Sequence, residues 1–161
     1  MKKLVLMMMA VTLIMVGCGT KKEAVNVPVT EIMNAIKEKA GYTQGFDEMN
    51  LKQDADMAGK LNIDPASIEE GLFLKSMINV RADEVMILKA ADDSKIEELK
   101  KALEDEVANQ DRIWSTYLPQ EYAKVENHII KQEGNYLILI IAEHPEELEQ
   151  IFTSKLTAES K

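Results

Sequence analysis

Two histidines, one cysteine and a surplus of carboxylates are the groups in this chain with the chemistry for metal binding or catalysis. His128 opens a strand-like run and His144 stands before Pro145 at the start of a helical stretch. A hairpin between them would draw the two rings toward each other. A zinc site takes three or four protein ligands, and no third stands beside this pair. His144 therefore reads as a helix-start residue and His128 as a residue on a solvated strand face. Asp54-Ala55-Asp56 with Gly59 has the opening of a calcium loop. Ala58 and Pro65 then occupy the fifth and twelfth positions, where an EF-hand needs oxygen ligands. These acids read as a helix start. No serine lies in a Gly-x-Ser-x-Gly elbow. The one Gly-x-Gly, Gly17 to Gly19, leads into no strand–helix unit and is no nucleotide fingerprint. Pairs such as Asp92-Asp93 follow from acidic composition alone. No catalytic constellation, metal site or cofactor is expected.

Cys18 has a different chemistry. It ends the run Leu13-Ile14-Met15-Val16-Gly17-Cys18, after a basic start (Lys2, Lys3) and an apolar stretch over residues 4–16. A membrane-spanning helix needs about 20 apolar residues, and this stretch is shorter, so it reads as a cleaved signal. The run resembles the lipobox of bacterial lipoprotein precursors. The resemblance implies cleavage between Gly17 and Cys18 and a diacylglyceryl group on the Cys18 sulfur, with fatty acyl chains such as palmitate. Two acyl chains anchor a protein stably where one holds marginally. Lipid on Cys18 also accounts for an otherwise unpaired thiol. The expected location is the outer face of the bacterial cytoplasmic membrane. Residues 18–27 then form a lipidated tether, about 17 Å long in the r.m.s. sense if flexible.

Removing residues 1–17 leaves 144, enough for one domain with its own core. Lys2 and Lys3 are the leader's only charges, so the balance moves from −9 to −11. Nucleic acid rewards clustered Lys and Arg, so it is excluded as a partner. An anionic membrane surface would repel the domain. The methionines outside the leader (Met33, Met49, Met57, Met77, Met86) are scattered, as core filler is and a copper site is not.

Hydrophobic periodicity gives the elements. Residues 30–40 read as a helix with Thr30 as cap and Gly41 beyond its end. Residues 46–52 suggest a short strand and 54–61 a short helix, with Asp64-Pro65 a turn or a helical first turn. Residues 71–77 and 84–90 read as two strands. Ser94 and Glu97 form a capping-box pair ahead of a long helix with the stripe Ile96, Leu99, Leu103, Val107 and Trp114. Residues 119–125 restart a short helix. Residues 128–132 and 136–142 form a hairpin, and the unbroken apolar run 137–141 marks a central strand covered on both faces, at least in part. A last helix starts at Pro145. Each hairpin is followed by a helix at the same spacing, which gives two ββα units. The expected fold class is α+β: an antiparallel sheet of two hairpins, helices packed mainly on one face, and an N-terminal helix. One domain covers residues 28–157, and 158–161 form a flexible tail.

Asp64-Pro65, Tyr117-Leu118-Pro119-Gln120-Glu121-Tyr122 and Glu133-Gly134-Asn135-Tyr136, in that order after the leader, resemble the domain-of-unknown-function 4358 family of small bacterial lipoproteins. The resemblance covers most of residues 30–153. It implies an exported, lipid-anchored single domain, typical of Gram-positive anaerobes, and it brings no catalytic residues to carry over.

Of eight aromatic residues, Trp114, Tyr117, Tyr122 and Tyr136 cluster in sequence near the long-helix end and the final hairpin. Such side chains join large contact area to a polar handle, so they form the candidate binding face. The plainer reading is that they cover the sheet where two helices meet. The expected function is a binding or scaffolding module at the cell envelope, held by lipid on Cys18 and meeting an envelope protein or ligand. The alternative is an envelope hydrolase using carboxylates. A transporter's solute-binding component needs two lobes, and the chain is too short for them.

Overall fold

The computed structural model describes residues 26–158. The leader, Cys18 and most of the tether, with the last three residues of the tail, lie outside the described residues. The elements in chain order are α1 (Val29–Ala40), β1 (Phe46–Asn50), α2 (Ala55–Lys60), β2 (Ile68–Ser76), β3 (Glu84–Ala90), α3 (Ile96–Trp114), α4 (Pro119–Glu126), β4 (Ile129–Glu133), β5 (Tyr136–Ile141) and α5 (Pro145–Ala158). The five strands form one sheet in the order β1-β2-β3-β5-β4, antiparallel throughout. The α+β class and the N-terminal helix stand as the periodicity indicates.

The helices occupy both faces of the sheet, which corrects the one-face expectation. Strand β3 is buried along its whole length, and so is β5. Val85, Ile87, Ile138 and Ile140 meet Ile32, Met33 and Ile36 of α1 and Leu148, Phe152 and Leu156 of α5. Met86, Leu88, Leu137 and Leu139 meet Ala58 of α2, Leu99 and Leu103 of α3 and Val125 of α4. Alternate residues of a strand point to opposite faces, so two strands apolar at every position need a cover on each side. Each large side chain so buried contributes roughly 1.5–3 kcal/mol relative to exposure.

The two hairpins meet through β3 and β5, which are antiparallel neighbours. A two-fold axis normal to the sheet relates such hairpins and would leave their helices on one face. Helices α3 and α5 lie on opposite faces, so the ββα unit is not repeated in three dimensions.

The helix caps also differ from the sequence reading. Thr30 lies inside α1, and Pro28 holds the N-cap position with no side-chain bond of its own. Glu70 of β2 supplies the missing acceptor, its Oε2 lying 3.0 Å from the Val29 amide nitrogen. A bulge between Ile68 and Glu70 reshapes β2 there. Gly41 ends α1 in the left-handed region at φ 69°, where glycine carries no steric cost. Ser94 is not the cap of α3. It sits in a 3₁₀ turn over Asp93–Lys95, and Asp92 accepts hydrogen bonds from its amide and hydroxyl.

Chain entry is fixed at one pole of the sheet. Val27, assigned from sequence to the tether, is buried, and its carbonyl accepts a hydrogen bond from Tyr136 Oη at 2.8 Å. The neighbouring Asn26 side chain accepts one from Lys89 Nζ at 2.7 Å. Lys89 is itself buried and lies 3.0 Å from Glu69. This pole holds the start of β2, the end of β3 and the start of β5. Among the described residues no helix is long and apolar enough to cross a membrane.

Candidate functional site

The opposite pole begins with two consecutive acids, Asp83 and Glu84, at the start of β3. Both are buried, and their strand positions send them to opposite faces.

Asp83 turns toward the α1 face and is fully engaged. Its Oδ1 accepts from Tyr42 Oη at 2.9 Å. Its Oδ2 accepts from Lys124 Nζ at 2.9 Å and from Arg81 Nε at 3.4 Å. Lys124 also lies 3.0 Å from Glu121, whose Oε2 accepts the Ala82 amide at 2.8 Å. Burial pushes the Asp83 carboxyl up. The Lys124 hydrogen bond and charge, with help from Tyr42 and Arg81, more than reverse that and hold it below its usual range. Burial would pull Lys124 down, yet its bonds to Asp83 and Glu121 leave it raised. Tyr42 is raised, first by burial and then by the Asp83 charge. These contacts knit the loop after α1, the start of β3 and α4. The carboxylates and cations of this network are matched within the chain, which makes it a structural clasp, and Tyr42, Arg81, Asp83 and Lys124 also line a cavity of about 300 Å³ with Glu143, His144 and Glu147.

Glu84 turns toward α3 in phase with Met86 and Leu88, and its Oε1 is buried with no hydrogen-bond partner. Burial, then the charge of Glu106, push its carboxyl well above the ordinary glutamate range, and Lys75 opposes them. Lys75 stands directly across the ladder from Glu84. Its ammonium lies 5.8 Å from the Phe73 ring centre instead of pairing with that carboxyl.

The α3 side of this site is a chain of buried polar groups on positions of the apolar stripe. Trp114 Nε1 donates to Gln110 Oε1 at 2.9 Å. Gln110 Nε2 donates to Glu106 Oε1 at 2.6 Å, and Asn109 Nδ2 reaches Glu106 Oε2 at 3.3 Å. A cavity of about 220 Å³ opens among Glu84, Gln110, Trp114, Ile78 and Ile113, with Lys75, Arg81 and Asp83 also in its lining. Residues 77–83, joining β2 to β3, form one wall. The large apolar side chains left exposed among the described residues gather around this pole. They are Met77, Ile78 and Val80 on that connection, and Ile113 and Tyr117 at the end of α3.

The four aromatic residues singled out from sequence separate. Trp114 is buried and lines the cavity. Tyr117 is exposed beside it, with ring centres 5.7 Å apart. Tyr122 of α4 donates to Asp111 Oδ1 at 2.8 Å and packs on the same core. Tyr136 lies on the other face, at the chain-entry pole. Glu84, Glu106 and Gln110 were not foreseen. Their signal is a polar residue on an apolar beat: Glu84 in phase with Met86 and Leu88, and Glu106 and Gln110 in phase with Leu99, Leu103 and Trp114.

The two histidines take separate local roles. His128 precedes β4, its Nδ1 donating to the Val125 carbonyl at 2.7 Å. His144 is exposed ahead of α5, and its carbonyl accepts from the Glu147 amide at 3.3 Å. Among the described residues no three His, Cys, Asp or Glu side chains form a group able to hold a metal ion.

No curated protein and no solved structure matches the chain. A family model described as a domain of unknown function (DUF4358) matches residues 42–142. That span takes in the whole sheet, the Asp83 clasp and the Glu84 cavity, and leaves α1 and α5 outside. The chain belongs to the DUF4358 family.

Proposed function

We propose that this domain is a binding module tethered outside the cytoplasmic membrane by lipid on Cys18. Its contact face would be the pole formed by residues 77–83 and the end of α3. The observation that carries this reading is the gathering of Met77, Ile78, Val80, Ile113 and Tyr117 around a cavity with buried, convergent polar groups. Exposed apolar side chains concentrated in one place mark interaction sites, whereas scattered ones need no explanation.

The position of that pole supports the same reading. The tether joins at Asn26 and Val27, beside Lys89 and Tyr136. Glu84 and Lys89 lie on one strand, five residues apart, or about 17 Å at the rise of a β-strand. A tether attached at one pole presents the other away from its anchor. The apolar rim therefore suits a partner in the envelope space better than insertion into the bilayer that holds the protein.

The runner-up is a hydrolase, favoured by one observation: Glu84 has a raised carboxyl near a second carboxylate, Glu106. A carboxyl raised by burial is what a general acid needs. Two features weigh against it. Both Glu106 oxygens are held by amide groups, and the cavity lies below the ~300–1,000 Å³ of ordinary small-molecule sites.

A photo-crosslinking residue placed at Ile113 of the full lipoprotein in its own cells tests the module. The expected result is one dominant protein adduct from Ile113 and none from the same residue at Ser154, an exposed position on α5. Adducts with lipid alone, or equal diffuse adducts from both positions, would overturn the reading. The anchor is tested alongside: Cys18→Ala should release the protein from membranes, and firm retention would contradict lipidation.

A further inference from the structure

We infer that Lys75 and Glu84 form a pH-driven switch, in which the Lys75 ammonium leaves the Phe73 ring and pairs with the Glu84 carboxylate once that acid ionises. Three observations meet here. The first is the unmatched acid: Glu84 is buried at the start of β3, and its Oε1 has no hydrogen-bond partner. Protonated, such a group is tolerated among apolar neighbours; ionised, it needs a cation. The second is the free cation. Lys75 is exposed and makes no ion pair among the described residues. Its hold on Phe73, with the ammonium 5.8 Å from the ring centre, is a weak one. The third is register. Lys75 and Glu84 are direct partners across the β2–β3 ladder. Directly opposed residues share a face, with Cβ atoms about 4.5–5.5 Å apart. Rotation within the four-carbon lysine stem therefore brings the ammonium to the carboxyl while the backbone stays in place.

The surroundings leave Lys75 as the partner. Glu106 of α3 opposes ionisation of Glu84, and its own oxygens are held by Gln110 and Asn109. Strand β5 offers the apolar Ile141. Arg81 of the connecting segment is held by Asp83, and Lys124 of α4 by Asp83 and Glu121. The Glu84 proton passes to buffer, Lys75 keeps its charge, and a charge-assisted hydrogen bond replaces the contact with the ring. Lys75 and Glu84 both line the 220 Å³ cavity beneath the apolar rim, so the move changes the lining of that cavity and leaves the fold unchanged. The device needs no partner and stands apart from the binding-module reading.

A pH titration of the full chain by NMR tests the switch, following the Glu84 carboxyl carbon, the Lys75 ε-methylene and the Phe73 ring. The expected result is one midpoint shared by all three, above 4.5, with the ε-methylene losing its ring-current shift as Glu84 ionises. In Glu84→Gln the Lys75 and Phe73 signals should hold their low-pH positions throughout. Lys75→Met should raise the Glu84 midpoint by about one pH unit or more, and Lys75→Arg should bring most of it back. A Lys75 signal that stays constant through the Glu84 midpoint would overturn the switch, and so would a Glu84 midpoint unmoved by Lys75→Met. A Lys75 shift that persists in Glu84→Gln would assign the movement to another acid and overturn it as well.

Discussion

Asp83 and Glu84 are neighbours in sequence, equally buried, and opposite in condition. Asp83 has three donors from three parts of the chain and a carboxyl held below its usual range. Glu84 has an oxygen with no partner and a carboxyl pushed well above it. Burial acts on both in the same direction. The difference is pairing, and pairing here separates a structural role from an available one. In the clasp the donors and acceptors are already matched within the chain. An unmatched acid lining a cavity, beneath the exposed apolar side chains, is not.

Breaking the clasp should have the largest effect. Asp83→Ala leaves Tyr42 without its acceptor and Lys124 with Glu121 as its near partner, and removal of one member of a buried ion pair costs up to about 3–5 kcal/mol. Equilibrium urea unfolding measures it. A loss under 1 kcal/mol would show that the clasp is ornamental and that the contrast with Glu84 is false.

The next effect depends on pH. A carboxyl raised in the folded state makes that state bind more protons than the unfolded chain. Its contribution to stability is therefore complete below the ordinary glutamate value of 4.5 and is lost as pH climbs through the raised one. Each unit of elevation corresponds to about 1.4 kcal/mol. Glu84→Gln should flatten this fall, gaining on the parent as pH rises. Asp83 has the opposite sign: its contribution is present above 3.8 and is lost as pH drops through its lowered value. Parallel pH profiles for parent and Glu84→Gln would remove the basis for calling Glu84 unmatched.

The smallest stability effect belongs to the rim. Ile113 is half exposed, and Ile113→Ser should change unfolding free energy by no more than about 0.5 kcal/mol. Partner capture should nonetheless fall several-fold. A rim substitution that unfolds the domain but spares capture would reverse the two roles.

Much of this fold was legible in the chain because apolar periodicity reports burial directly. Unbroken apolar runs located β5 as central, and the stripe of α3 was readable through Trp114. Which face each helix covers was not legible, because the runs in β3 and β5 call for cover on both sides without saying which helix supplies it. The caps were misread for a related reason. Glu70 reaches α1 from a distant strand, and a local pattern at Thr30 holds no trace of it. The candidate site was half legible. Trp114 and Tyr117 stand side by side at the end of α3, while strand parity carried Tyr136 to the far face. Glu84 passed unnoticed because an acid at a strand start looks like a solvated edge. Only its phase with Met86 and Leu88 distinguishes it.

The most direct measurement is a carbon-13 NMR titration of the Asp83 and Glu84 side-chain carboxyls in the intact domain. The account predicts two well-separated midpoints: Glu84 well above 4.5 and Asp83 below 3.8. A Glu84 midpoint in the ordinary glutamate range would mean that Lys75 or water already matches it. The pole would then hold an apolar patch over a satisfied core, and the case for a poised carboxyl would fall.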